Sequence, residues 1–573
     1  MSFGTQPEAR RPPESEEEDP ADIELPLISD SISSSIGEDD DLMTRPQAWN
    51  LYTSHFLSTW NVRTYEFAAI IFTAAAYPDT LVATSIRGIV RALASILFSS
   101  SVGRWVDHSP DRLKTLLCTI SINRTAVISA SALWYFIVEP KNDSHARALA
   151  ASEGSAALLR GAIFTLILAL GILEGLSASG NMLSMERDWV VTAASPVGQP
   201  YDLTHLNSSM RRIDLICKLI APILISVIVS ATNIKIGVLV VGFMSAGSWA
   251  VEFWCARRVW LRNPRLRALK AVDVSASASA AAPEPGARNL LSRTAHGLQR
   301  YADDFRKYFT STVWIPSLSL AFLHISALTY SATFITYLLA VGFSLDLITV
   351  ARAAGSVVEI SSTVVTPVGV SYLGKAKNHG RTHHDRAREN EEEASTALLE
   401  ESPEEELQAT TETGLERLGL WGLSFQLINL IPVVFALWSL SPPPTPHLLL
   451  SRLLTPLTTS RPLLAFTLFF FLSISRLGLW VFDLTTQQLT QTMTSPSHRS
   501  SFTGVEYSLV SVFELSLHVI TMVLHRPDQF RWIAMASLGA VALSTVAYAA
   551  WVAKMRGHLV HWERIGIGKG GMC

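Results

Sequence analysis

"LLAFTLFFFLSISRLGLWVFDL", residues 463 to 484, carries no formal charge as far as Ile474 and then places Arg476 and Asp483 seven residues apart. About twenty apolar residues at 1.5 Å per residue match the roughly 30 Å hydrocarbon core of a bilayer. Seven residues make two helical turns, so the Arg and the Asp share one face. A charge at bilayer depth must face protein or water. The stretch therefore predicts a membrane span whose charged face looks into a helix bundle.

The rest of the chain repeats the pattern. Of its 573 residues 49% are hydrophobic and 17% charged, against about a quarter charged in soluble domains, and the mean hydropathy is +0.28. The charges crowd into residues 7 to 45 and 376 to 407, leaving long apolar stretches between. Twelve spans are predicted, at about 55–77, 81–103, 115–138, 157–182, 208–231, 234–256, 312–340, 345–373, 415–440, 463–491, 502–525 and 530–553. A low-complexity linker, 258–311, with "SASASAAAPEPGA", divides them six and six. "RALAS" from Arg91 and "RAAGS" from Arg352 occupy corresponding places in the two halves. The fold class expected is an all-α polytopic membrane protein of the major-facilitator type, two six-helix halves rocking about a central site.

The domain reading follows: an acidic disordered tail at 1–50, halves at 51–257 and 312–555, a disordered loop at 376–412 and a C-terminal tail at 556–573. Lys and Arg concentrate in the connections after spans two, six, eight and twelve, which puts both termini in the cytosol. Asn142-Asp-Ser would be an outside glycosylation sequon. The four cysteines show no CxxC pair and no zinc spacing. The basic residues form no stripe for nucleic acid, and no P-loop or nucleophile–base pair points to an ATPase or another enzyme.

Charges inside the predicted spans are candidates for function: Arg63, Glu66, Arg87, Arg91, Arg124, Glu174, Asp214, Lys218, Glu252, Arg352, Glu359, Arg476, Asp483, Glu506, Glu514 and His518. Structural ion pairing competes with function at each. Glu514 and His518, at i and i+4, set a carboxylate and an imidazole on one side of a helix, a donor pair suited to a divalent transition metal.

Seven stretches are more specific. "LSTWNVRTYEF" (57–67), "GRWVDHSPDRLK" (103–114), "MERDWVV" (185–191), "LNSSMRRIDLICKLIAPI" (206–223), "VEF" at Glu252, "RLGLWVFDL" (476–484) and "HRSSFTGVEYSL" (498–509) resemble, in order and spacing, the ferroportin family of iron-export carriers, over about residues 50 to 555. The resemblance implies export of ferrous iron from the cytosol by alternating access, with Co2+, Mn2+ and Ni2+ as related cargo and no permanently bound cofactor. It also implies a monomer in a lipid bilayer, at the plasma or vacuolar membrane.

Position by position the match is mixed. Where animal members place metal-ligating Asp and His in the first helix, this chain has Val62 and Glu66. Their Asp-Cys in the seventh becomes Ser331-Ala332, so control by a hepcidin-type peptide is not expected. The ligand His of the eleventh aligns with Leu517, one residue before His518. Glu66, Ser331, Glu514 and His518 are the candidate donors. Asn123 and Glu252, with Ser245, hold positions that the family associates with calcium. Asp107, Arg112, Asp188, Asn207, Arg211, Asp214, Arg476, Asp483 and Arg499 match gate positions. The alternatives are a carrier of another small cation or solute, or a receptor or scaffold that no longer transports.

Overall fold

A computed structural model describes residues 42–77, 82–138, 154–270, 290–375, 403–440, 461–524 and 526–556. Asn142, Cys573, the N-terminal tail to residue 41 and the charged stretch 376–402 lie outside them. The first half consists of α1 (Arg45–Ala76), α2 (Val82–His108), α3 (Arg112–Ile137), α4 (Gly154–Met182, continued by a π-helix Leu183–Trp189), α5 (Leu203–Ala231) and α6 (Ile234–Arg262). The second consists of α8 (Trp314–Phe322), α9 (Ala332–Ala340), α10 (Leu345–Lys375), α11 (Pro403–Leu440), α12 (Arg461–Met493), α13 (Arg499–Val523) and α14 (Phe530–Arg556), with α7 (Leu290–Thr310) between the halves. Among the described residues ten helices are long and apolar enough to cross a membrane. The other two predicted spans are α1, diluted by His55, Asn61, Arg63 and Glu66, and the broken pair α8 and α9.

Local sequence sets several helix starts. Asp111, Asp202 and Asn233 side chains accept from the backbone N–H three residues on, at 3.1, 2.8 and 2.8 Å, satisfying donors that a helix leaves open at its first turn. Beyond the caps, lipid forces the choice, because an apolar solvent leaves backbone groups no partner outside the helix. Phe136, Phe243, Val368, Phe466 and Val546 stand exposed, as side chains facing acyl chains would.

Within the first half α1 packs on α5 and α6, and α3 on α4 and α6; within the second α12 packs on α10 and α11, and α11 on α14. The halves meet where α2 packs on α13 and α5 on α10. The first of these seams is close. A Cβ on Gly103 would run into the Ser500 carbonyl, and one on Gly504 into the Ser99 carbonyl, so only glycine lets the backbones approach.

Three features differ from the sequence reading. The seventh span, expected as one helix over 312–340, is interrupted between Ile325 and Ala332. Non-helical backbone is tolerated at this depth because it faces a cavity rather than lipid. The charged loop expected to run to residue 412 gives way to helix at Pro403, where a proline followed by three glutamates suits a helix N-terminus. The linker holds α7, whose Asp304 is buried against α2 by Arg104 at 2.7 Å and by a hydrogen bond from Ser100. Tyr308 of α7 stacks on Phe502 of α13 at 4.6 Å.

Candidate functional site

Between the halves lies a cavity of about 760 Å³ lined by α1, α2, α4 and α5 on one side and by α8, the 326–331 break, α12 and α13 on the other. Arg476 and Asp483 both line it, as their seven-residue spacing requires. They do not pair with each other. Arg476 Nε meets Glu359 Oε1 at 2.7 Å, and Asp483 Oδ2 meets Arg211 Nη2 across the halves at 2.7 Å.

The first-half wall is a lattice of matched charges. Glu66 is held by two guanidiniums, Arg63 Nη1 at 3.4 Å and Arg91 Nη1 at 3.1 Å. Arg63 Nη2 also grips Asp214 Oδ1 at 2.7 Å, and Arg211 Nη1 reaches Asp214 Oδ2 at 3.8 Å. Opposite charges at such distances attract one another, most strongly at the buried Asp214. Glu66 is thus a bound carboxylate rather than an open donor.

The opposite wall is built differently. Glu506 and Glu514 of α13 line the cavity without an Arg or Lys within 4.0 Å among the described residues, and Glu506 accepts a hydrogen bond from Ser317 of α8. His324, in the short 3-10 turn that follows α8, and His518 line the same space. His324 Nδ1 faces the Leu320 carbonyl at 3.3 Å and His518 Nδ1 the Glu514 carbonyl at 2.6 Å. A carbonyl only accepts, so each Nδ1 donates there, and Nε2 is the ring nitrogen not engaged by that contact. Ser331 lines the cavity from the helix break, where it precedes α9. Among the described residues no three His, Cys, Asp or Glu side chains are preassembled to hold a metal. A bare ion here would keep water in its shell or draw the donors together.

At one end the cavity is sealed by hydrogen bonds that cross the halves. The π-helix turns Glu186 and Arg187 inward; Gln487 Nε2 donates to Glu186 Oε2 at 3.1 Å, and Arg187 Nη1 donates to Thr490 Oγ1 at 2.6 Å and to the Gln487 carbonyl at 3.0 Å. Asn207 Nδ2 donates to Gln491 Oε1 at 2.6 Å and Gln488 Nε2 to Thr204 Oγ1 at 2.7 Å. Beyond them Asp107 accepts from the backbone N–H groups of Ser500 and Ser501 at 2.9 and 2.7 Å, placing a carboxylate on the positive N-terminus of α13. Asp188, on the same π-helix, is shared by Arg112 Nε at 2.9 Å and Lys270 Nζ at 2.7 Å.

Two expected groupings are rearranged. Arg499, matched in sequence to a gate position, donates to the Arg187 and Thr494 carbonyls at 3.5 and 3.4 Å, and Asp483, another such position, is held by Arg211. Asn123 and Glu252 do not line the cavity. The Arg124 guanidinium sits between them, donating to Asn123 Oδ1 at 2.9 Å and pairing with Glu252 Oε1 at 2.7 Å, where Arg124 is 1% and Glu252 0% exposed. That position already holds a cation belonging to the chain.

Sequence reasoning missed His324, Glu186 and Arg187. His324 lay unmarked in a seventh span that reads as continuous helix. Glu186 and Arg187 sit in "MERDW", a stretch that was quoted, but a π-helix changes the face on which each residue falls, and no local residue announces it.

A sequence model of the family described as Ferroportin1 (FPN1) matches residues 46–378 and 408–541. Solute carrier family 40 member 1 of Oryza sativa subsp. japonica is 26% identical over 537 residues, covering 92% of this chain and 95% of the relative. Human ferroportin is 22% identical over 87% of this chain and 90% of its own length. Among solved structures, a bacterial homologue of the iron transporter ferroportin in its outward-facing state superposes with a TM-score of 0.65 at 19% identity, covering 88% of this chain and 99% of that one. A double-tryptophan variant of XylE superposes at 0.52 with 10% identity, covering 88% and 95%. The architecture is the major-facilitator fold.

Proposed function

We infer the function from this premise: the chain belongs to the ferroportin family, and it is a multi-pass membrane protein of a metal-transporter kind. The finer reading is a carrier that exports a divalent transition metal, ferrous iron first, from the cytosol by alternating access, without ATP. The observation that carries it is the second-half wall, where Glu506, Glu514, His324 and His518 meet a shared cavity with no guanidinium to neutralise them. Carboxylate oxygen and imidazole nitrogen together suit Fe2+, Co2+ and Mn2+. Ser331 would add an oxygen. Glu66 would join the shell only when Arg91 or Arg63 lets go of it.

The sealed end lies where α2 stops, at Asp107, and the helix ends there are basic: Arg104 in the last turns of α2, Arg112 and Lys114 in the first turn of α3, and Arg257, Arg258 and Arg262 in the last turns of α6. The positive-inside rule supports a cytosolic assignment for that end and for both termini. On that reading the structure is closed to the cytosol, held across the halves by Asp107, Asn207, Arg211, Asp483 and Arg499, while Arg112 with Asp188, Asp214 with Arg63, and Arg476 with Glu359 brace each half from within. The cross-half contacts would break as the halves rock and thereby set the balance between the two states.

The test is uptake of Fe2+, Co2+ and Mn2+ into liposomes holding the purified protein, wild type beside Glu506→Gln and Glu66→Ala. Metal-selective flux that falls steeply in Glu506→Gln supports the reading. Absence of flux for all three ions, with folded protein in the bilayer, sinks it and returns the field to another solute or to a receptor.

A further inference from the structure

The Trp480 indole of α12 stands among three cations. The Arg211 guanidinium lies 5.5 Å from the ring centroid, Lys218 Nζ 5.1 Å and the Arg476 guanidinium 6.0 Å, and all four residues line the cavity. Arg211 has Asp483 and Arg476 has Glu359, each at 2.7 Å. Lys218 has neither: among the described residues no carboxylate oxygen lies within 4.0 Å of its Nζ.

Within 4.0 Å, Arg63, Arg91, Arg211 and Arg476 pair among Glu66, Asp214, Glu359 and Asp483, and Lys218 stands outside these pairs. Lys218 lies at least thirteen residues from either end of α5, about 20 Å along the axis, so its ammonium opens onto the cavity and not onto the membrane surface. The indole face attracts an ammonium, but it attracts the two guanidiniums as well and neutralises none of them. A membrane-embedded cation lacking a counter-ion points to a ligand.

We propose that Lys218, Arg476, Arg211 and Trp480 form a subsite for a small organic di- or tricarboxylate, entering free or as the chelating ligand of the metal. Lys218 meets one carboxylate with its ammonium. Arg476 meets Glu359 through Nε, so its two terminal amino groups are left to donate to a second. Glu506, Glu514, His324 and His518, from α13 and the turn after α8, line another part of the same cavity, so carboxylates and imidazoles stand apart from the three cations around Trp480. The cavity's volume of about 760 Å³ is that of a small-molecule site rather than of a bare ion. The chelate arm of this proposal rests on the metal-carrier reading; the free-anion arm does not.

The experiment is calorimetric titration of citrate, with and without equimolar Co2+, into the detergent-purified full chain, wild type beside Lys218→Gln and Lys218→Arg. It is joined to Co2+ flux into liposomes at fixed free Co2+, with and without citrate. Citrate should bind the wild type, about tenfold or more weakly in Lys218→Gln, with binding restored in Lys218→Arg, which keeps the charge. The Arg variant also separates lost charge from lost fold. Binding of citrate alone identifies a free anion, and binding that needs Co2+ identifies a chelate. Absence of binding to the wild type in both conditions, or equal binding to Lys218→Gln, overturns the subsite. Charge-dependent citrate binding without Co2+ flux keeps the subsite and removes the metal carrier; Co2+ flux without citrate binding does the reverse.

Discussion

The two walls of the cavity hold similar residues in opposite circumstances. On the first-half side Glu66 and Asp214 are carboxylates spoken for by Arg63, Arg91 and Arg211, and the buried Glu252 is spoken for by Arg124. On the second-half side the buried Glu506 accepts from a serine and Glu514 is exposed, neither with an Arg or Lys within 4.0 Å among the described residues, and two imidazoles line the same cavity. A carboxylate locked to guanidinium holds helices together and repels no partner charge. One without a counter-ion takes a proton or a cation, and we propose that on this wall the cation is the metal. The difference is the ground for reading architecture in one wall and reception in the other.

Breaking the lattice should show it first. Glu252→Ala would leave Arg124 charged, buried and unpaired, costing about 3–5 kcal/mol, so the thermal unfolding midpoint of the purified protein should drop by several degrees or the protein should fail to accumulate. An unchanged midpoint would mean that the pair is not structural. A smaller effect is expected at Glu66. Glu66→Gln should lower metal flux because Arg91 then lacks a carboxylate while Arg63 keeps Asp214, and adding Arg91→Gln should recover much of it. If flux stays lost in the double variant, Glu66 touches the metal and the contrast between the walls is weaker than drawn here.

The gate should respond more gently still. Asp107→Asn removes a charge from the N-terminus of α13, worth about 1 to 2 kcal/mol, so the cytosol-open population should rise roughly five- to thirtyfold. Labelling of a cysteine placed at Thr490, which the seal covers, would report it. An unchanged labelling rate would show that Asp107 caps the helix without biasing the states.

Much of this was legible in sequence, and the limits have physical reasons. The spans could be read because lipid demands long apolar helices, and "RLGLWVFDL" showed that its charged face turns inward. The partners could not be read. Arg476 to Glu359 and Arg124 to Glu252 join residues more than a hundred positions apart, and nothing local selects among the other lone charges. The break after Ile325 was hidden because "FLHISALTYSATF" remains apolar enough to pass as helix. That break sets Ser331 on the cavity wall and leaves His324 in the short 3-10 turn that follows α8.

The central claim is that the second-half wall takes the metal. Its most direct test is equilibrium binding of Co2+ to the purified protein by calorimetry, comparing Glu506→Gln/Glu514→Gln with the charge-balanced Glu66→Gln/Arg91→Gln. The account predicts that binding is lost, or weakened by about tenfold or more, in the first and kept in the second. Binding kept in the first and lost in the second would contradict it.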